Sequence, residues 1–242
     1  MLNHAMLDFK AINRYRAELS DSNFTAAAMV DGDVVELRLH GDVGAEWQKM
    51  DSGSVAAFLA QHKDKDVHVA MNSHGGLVFD GIAIHNALAS HPGVVTGTVD
   101  ALAASAMAII AMACDHLAIH RSAFFMIHRA WGGVVGNSAA MRAIADELDM
   151  IDDAQIAMYA DKTGMDEDEL TQLLVGKVDG TMFSAAKAYE LGFVDEIIGA
   201  DEEGDSEEMA EDDDATVDLE AEKRRMQRAA VVQALAKIAV DK

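Results

Sequence analysis

Apolar positions along this chain change period several times, and the changes divide it into elements. Val35, Leu37 and Leu39 alternate with polar neighbours, as a strand with one buried face does, and Val67 to Met71 forms a second such run. From Gly76 to Ser90 the period lengthens, with Val78, Ile82, Ile84 and Leu88 broadly on one side of a helix. A strand follows at Val94 to Val99, then an apolar helix after Ala103 and short strands near Leu117 to Ile119 and Phe124 to Ile127. Ser138 to Lys162 predicts a long helix capped by Asn137 or Ser138, with Met141, Ile144, Leu148, Ile151 and Met158 as its apolar stripe. Strands alternating with helices predict an α/β domain with largely parallel pairing. No period of 20 to 50 residues marks a repeat array.

Composition narrows the partners. Half of the 242 residues are apolar, enough for one substantial core. The longest apolar run, Ala101 to Cys114, is 14 residues broken only by Ser105, short of the roughly 20 that a membrane span needs, and predicts a buried helix. Met1 to Ser22 intersperses Asp8, Lys10, Arg14, Arg16 and Glu18 among its apolar residues, unlike a signal peptide, so a cytoplasmic location is expected. The net charge of −23 argues against nucleic acid and anionic membrane surfaces as partners. Twelve acidic residues and no basic ones lie between Asp201 and Glu220, a composition expected to stay disordered. Beyond it, Val231, Leu235 and Ile238 at helical spacing fit either a partner-binding helix or a frayed terminus. The expected organisation is an extension over 1–29, a folded α/β domain over 30–199, an acidic linker over 200–220 and an amphipathic helix over 221–242. One cysteine, Cys114, excludes an internal disulfide and a multi-thiolate metal site. His116 and His120 have a metal-like helical spacing in a segment that reads as extended, so no metal is expected, and no cofactor. No glycine-rich loop ends in Gly-Lys-Ser or Gly-Lys-Thr, so ATP hydrolysis would need a separate protein.

Three segments carry possible chemistry. Asn72-Ser73-His74-Gly75-Gly76 follows a strand and opens a helix, where glycines let backbone amides approach a ligand and unsatisfied N–H groups face developing negative charge. Most Gly-Gly pairs at such a place are simply turns. In Ala103-Ala104-Ser105-Ala106-Met107-Ala108 one hydroxyl sits among small residues that leave a carbonyl room to approach, which makes Ser105 a candidate nucleophile; a helix cap is the plainer reading. Phe124-Phe125-Met126-Ile127-His128 ends an apolar strand on a histidine able to take and return a proton, or merely to cap the strand in solvent.

Taken in order, Asn72-Ser73 with Gly75-Gly76, Ala103-Ala104-Ser105-Ala106, Met126-Ile127-His128 with Trp131-Gly132-Gly133, and Ser184-Ala185 with Ala188, Leu191-Gly192 and Asp195 resemble the proteolytic subunit of the Clp protease family. More narrowly they resemble its phage branch, the head-maturation proteases, as do Leu39 to Gly44 and Asp80 to Leu88. The resemblance covers Val34 to Ile198. It implies a crotonase-like α/β fold of repeated strand and helix units with a protruding long helix. It makes Ser105 the nucleophile of a serine endopeptidase and His128 its base, with the amides of Gly76 and Ala106 as the oxyanion hole. The third triad member departs from the pattern: an ungapped match puts Gly180 where the family carries its acid, leaving Asp179 one residue away as the candidate and Thr181 as an alternative orienter. The resemblance further implies a homo-oligomeric ring that processes phage capsid and scaffold proteins, with the helix Ser138 to Lys162 packing subunits of facing rings, unless its apolar stripe faces the core of its own domain. The alternatives are a housekeeping chambered protease working with a separate ATPase, or a catalytically silent scaffold component.

Overall fold

The computed structural model describes residues 30–31, 34–45, 50–177 and 179–199; the extension over 1–29, the acidic linker and the terminal helix lie outside the described residues. Eight strands form one sheet: β1 (Val30–Asp31), β2 (Val34–Val43), β3 (Asp66–Gly76), β4 (Val95–Ala104), β5 (His116–His120), β6 (Phe124–Ile127), β7 (Thr181–Ser184) and β8 (Glu196–Ile198). Between them run α1 (Ser52–Gln61), α2 (Val78–Ala89), α3 (Ala106–Ala111), α4 (Ser138–Thr163), α5 (Glu167–Val175) and α6 (Ala185–Glu190). The main order is β1-β2-β3-β4-β5-β8, with β6 pairing β4 and β7 pairing β6. Only the β1–β2 and β6–β7 pairs are antiparallel, so the expected α/β architecture with a mainly parallel sheet is the observed one.

Alternation sets the sheet's faces. Val35, Leu37 and Leu39 of β2, Val67, Val69 and Met71 of β3, and Leu117 and Ile119 of β5 are buried, while Glu36, Arg38, His68, Thr96 and His116 fall on the less buried side. The helix α3 is apolar all round and every residue of it is buried. Phe193 stacks on Phe125 and Phe183, with ring centroids 5.3 Å apart in each pair, and meets the edge of Tyr159 at 5.8 Å. Lys162 near the end of α4 donates to Asp195 Oδ2 at 2.8 Å and to the Cys114 carbonyl at 3.2 Å, and Asp195 accepts the Leu117 N–H at 2.9 Å, so this motif residue ties α4 to the end of the sheet. Burial pushes the Cys114 thiol up to about 12, which leaves it inert at neutral pH.

Three features differ from the pattern-based expectation. The run from Ala101 to Cys114 is not one helix: β4 continues to Ala104, and only Ala106–Ala111 is helical. Alanine-rich sequence has no period to read, and pairing with β6 holds this part extended. The helices α1 and α5 were not anticipated, although Asp51 caps the first through the Ser54 N–H and Asp166 the second through the Asp168 N–H. The buried face of α4 is not the expected stripe: Met141 is 53% exposed and Ile144, Leu148, Ile151 and Met158 are only half-buried, whereas Asp152, Gln155, Ile156 and Tyr159 are the buried residues.

The buried Tyr159 hydroxyl has no hydrogen-bond partner among the described residues. Burial, and then the Asp152 charge, raise its pKa well above the usual phenol value. An unpaired buried hydroxyl costs about 1–3 kcal/mol. Tyr159→Phe, which removes only that oxygen, should therefore raise the melting temperature; a clear fall would mean that the hydroxyl contributes a favourable contact.

Candidate active site

The site forms at the C-terminal ends of the parallel strands, where open α/β sheets place their ligands. Two register shifts bend this end, between His40 and Asp42 in β2 and between Met71 and Ser73 in β3. The partner of β4 also changes along its length: Thr96 to Val99 pair with β5, whereas Leu102 to Ala104 pair with β6. That switch brings the end of β6 beside the start of α3. The Ser105 N–H donates to the Met126 carbonyl at 3.0 Å, locking the turn after β4 onto the strand that ends at His128.

Ser105 is the only non-glycine among the described residues with positive φ, at φ 56° and ψ −125°. Such a conformation costs on the order of 1–3 kcal/mol and persists only where its surroundings impose it. Its side chain makes no capping bond to α3, contrary to the plainer reading of a serine at a helix start. The hydroxyl instead lies 2.7 Å from His128 Nε2, close enough to donate to the ring. With Nε2 accepting, Nδ1 carries the ring proton. Among the described residues Nδ1 is buried without a hydrogen-bond partner, and the facing carboxylate, Asp179 Oδ1, stands 3.7 Å away, beyond hydrogen-bond reach, on a side chain 65% exposed.

Gly180 leaves no room for an acidic side chain of its own. Its φ is +84°, and a Cβ built there would lie 2.3 Å from His128 Cβ and 2.3 Å from the Ile127 carbonyl. No side chain fits at this position, and the neighbouring carboxylate is that of Asp179. The Thr181 hydroxyl donates to the Leu173 carbonyl at 2.6 Å, which spends its proton away from His128.

The glycine pair divides its work. A Cβ on Gly75 would meet Ser105 Cβ at 2.6 Å and the Ala106 nitrogen at 2.9 Å, so only glycine lets β3 approach the serine turn this closely. The buried Ser73 hydroxyl donates to the Gly41 carbonyl at 2.5 Å and accepts the Gly75 N–H at 3.0 Å. Gly76 is paired with Val43 of β2, and the Leu77 N–H donates to the Val43 carbonyl at 3.0 Å. In that parallel register Val43 bonds the peptide groups flanking Gly76, so the Gly76 N–H itself turns away from β2, toward the side on which β4 lies. The Ala106 N–H, at the start of α3, has no intrahelical acceptor. His74 is exposed.

Sequence reasoning passed over a cluster next to this site. Arg129, Asp149 and Asp152, with Asp153, Ile156, Thr171 and Leu174, line a cleft of about 310 Å³. Arg129 follows His128 directly and the two aspartates share one face of α4 at i, i+3, but nothing local joins segments 23 residues apart. Among the described residues no group of three or more His, Cys, Asp or Glu could hold a metal ion, and no helix is long and apolar enough to cross a membrane.

The model of the Clp protease family matches residues 43–201, about two thirds of the chain. The chain belongs to the Clp protease family. Among its relatives is the ATP-dependent Clp protease proteolytic subunit 2 of Parasynechococcus marenigrum, 32% identical over 145 residues, which span 57% of this chain and 70% of that protein. Another is the subunit of the same name from Thermobifida fusca, 26% identical over 151 residues, 60% of this chain and 71% of that one. A ClpP1 variant from Listeria monocytogenes shares the fold at a TM-score of 0.59 and 20% identity, covering 76% of this chain and 95% of its own. The Clp domain thus encloses every candidate residue, Gly76, Ser105, Ala106, His128 and Asp179.

Proposed function

We propose that this chain is a serine endopeptidase subunit of the Clp type, with a protease domain over 30–199 and appended segments at either end. The observation that carries the reading is the 2.7 Å contact between His128 and a serine held in a strained turn. Ser105 Oγ attacks the scissile carbonyl while His128 Nε2 takes its proton. The tetrahedral oxyanion is met by the N–H groups of Gly76 and Ala106, and His128 then protonates the leaving amine as the C–N bond breaks. Water, deprotonated by the same ring, hydrolyses the acyl-enzyme and restores Ser105. Asp179 closes onto the Nδ1–H and steadies the imidazolium that forms in both steps.

The names of the relatives favour the chambered, ATPase-assisted reading over head maturation, since those described above are proteolytic subunits of ATP-dependent Clp proteases. The motifs that suggested the phage branch do not outweigh this, and the substrates proposed here are unfolded polypeptides delivered by a separate cytoplasmic ATPase. Self-association into a ring accords with the apolar surface around the start of α4, where Trp131 is 69%, Val135 fully and Met141 53% exposed. Incubation with a fluorophosphonate, peptide mapping and sedimentation test the reading together. Expected are a single adduct on Ser105, cleavage of a fluorogenic peptide, and a species several times the 25.9 kDa subunit mass. An unmodified Ser105 in folded protein would leave only the silent scaffold, and an active monomer would remove the ring.

A further inference from the structure

Besides the Tyr159 hydroxyl, Ser73, Asp152 and Gln155 are the buried polar side chains among the described residues. Ser73 serves the glycine loop; the other two have no part in the chemistry so far. Asp152, 4% exposed in the middle of α4, accepts from Arg129 Nε at 2.5 Å, from the Ala130 N–H at 2.6 Å and from Gln155 Nε2 at 3.1 Å. The other arm of Arg129 reaches Asp149, one turn earlier, at 2.5 Å. A buried carboxylate is costly unless donors surround it, and here two of its three donors, Arg129 and Ala130, come from one short segment. Arg129 and Ala130 are the residues immediately after His128, where β6 has ended at Ile127 and its ladder no longer guides the chain. Gly180 also packs so closely that even a methyl group there would strike His128.

We infer that Asp152 is a positioning residue: through Ala130 and Arg129 it fixes the backbone that sets where the His128 ring meets Ser105. The inference rests on the reading of His128 as general base. In Asp152→Asn the side-chain oxygen can still accept the Ala130 N–H, but the new NH2 faces the Arg129 donor, so the guanidinium pin is lost at constant volume. The expected result on the full chain is a kcat for a fluorogenic peptide lower by roughly 10- to 100-fold, the loss that a misplacement of about 1 Å produces, with KM within about twofold. A crystal structure of the variant should show the Ser105 Oγ to His128 Nε2 separation lengthened past about 3.5 Å. Unchanged kcat with an unchanged contact in folded Asp152→Asn overturns the inference, and so does a loss confined to KM. Should Asp152→Asn be unfolded at the assay temperature, Arg129→Gln decides by the same readouts, because it leaves the carboxylate with its Ala130 and Gln155 donors. Ser105→Ala, run alongside, separates the two readings. Activity surviving there removes the catalytic reading; activity lost there but intact in Asp152→Asn removes only the positioning role.

Discussion

Replacing Ser105 by alanine should lower peptide hydrolysis by roughly 10⁴-fold or more, and His128→Ala should cost about as much, because nucleophile and base act as one unit. Both variants should melt close to the parent. Ser105 is half-buried and makes no helix cap, and alanine removes one hydroxyl. Asp179→Ala is expected to behave differently. Its carboxylate stands 3.7 Å from His128 Nδ1 and is largely in water, so it cannot be a fully formed triad member in this conformation. Yet Nδ1 is buried and has no other partner among the described residues, and the imidazolium that forms during catalysis would strengthen whatever bond it makes. A hydrogen bond to a charged group is worth about 1.5–3 kcal/mol, which corresponds to roughly 10- to 100-fold in rate. That intermediate loss is the expectation for Asp179→Ala, measured as kcat/KM. An unchanged rate would make the site a Ser105–His128 dyad, and a loss as deep as that of Ser105→Ala would mean that Asp179 closes fully in the complex.

The parts of this site legible in sequence are those written into single segments. Glycines before a helix, a hydroxyl among alanines and a histidine at a strand end each specify a local geometry, and their order along the chain carried the family. What was illegible depends on tertiary contact. The strand character of Ala101 to Ala104 comes from pairing with Phe124 to Met126, and an alanine run offers no alternation to betray it. Arg129 and Asp152 carry no mutual signal until α4 lies against the exit of β6. The crowding at Gly180 belongs to the same class. Sequence alignment can register that a glycine stands where an acid belongs, but only the approach of His128 Cβ shows why.

That approach makes the most consequential forecast about a position that performs no chemistry. Gly180→Asp would place an acid at the family's usual position and, on sequence reasoning alone, should improve the triad. The structure forecasts the opposite. Gly180 has φ +84°, a conformation that side chains rarely adopt, and its neighbours at the would-be Cβ are a backbone carbonyl and His128 itself rather than the flexible end of a side chain. Relief requires the β6–β7 end to move, and because Thr181 is paired with Ile127, that movement displaces His128 from Ser105. Overpacking of this kind costs typically 1–3 kcal/mol, to which the strained φ adds on the order of 1–3 kcal/mol more. Both Gly180→Ala and Gly180→Asp should therefore melt lower than the parent and lose at least about 100-fold in kcat, as misplaced catalytic groups do. The alanine variant separates sterics from charge: if Gly180→Ala is fully active while Gly180→Asp is not, charge rather than space governs the position. If Gly180→Asp is faster than the parent, the backbone has given way and the acid has taken the family's place.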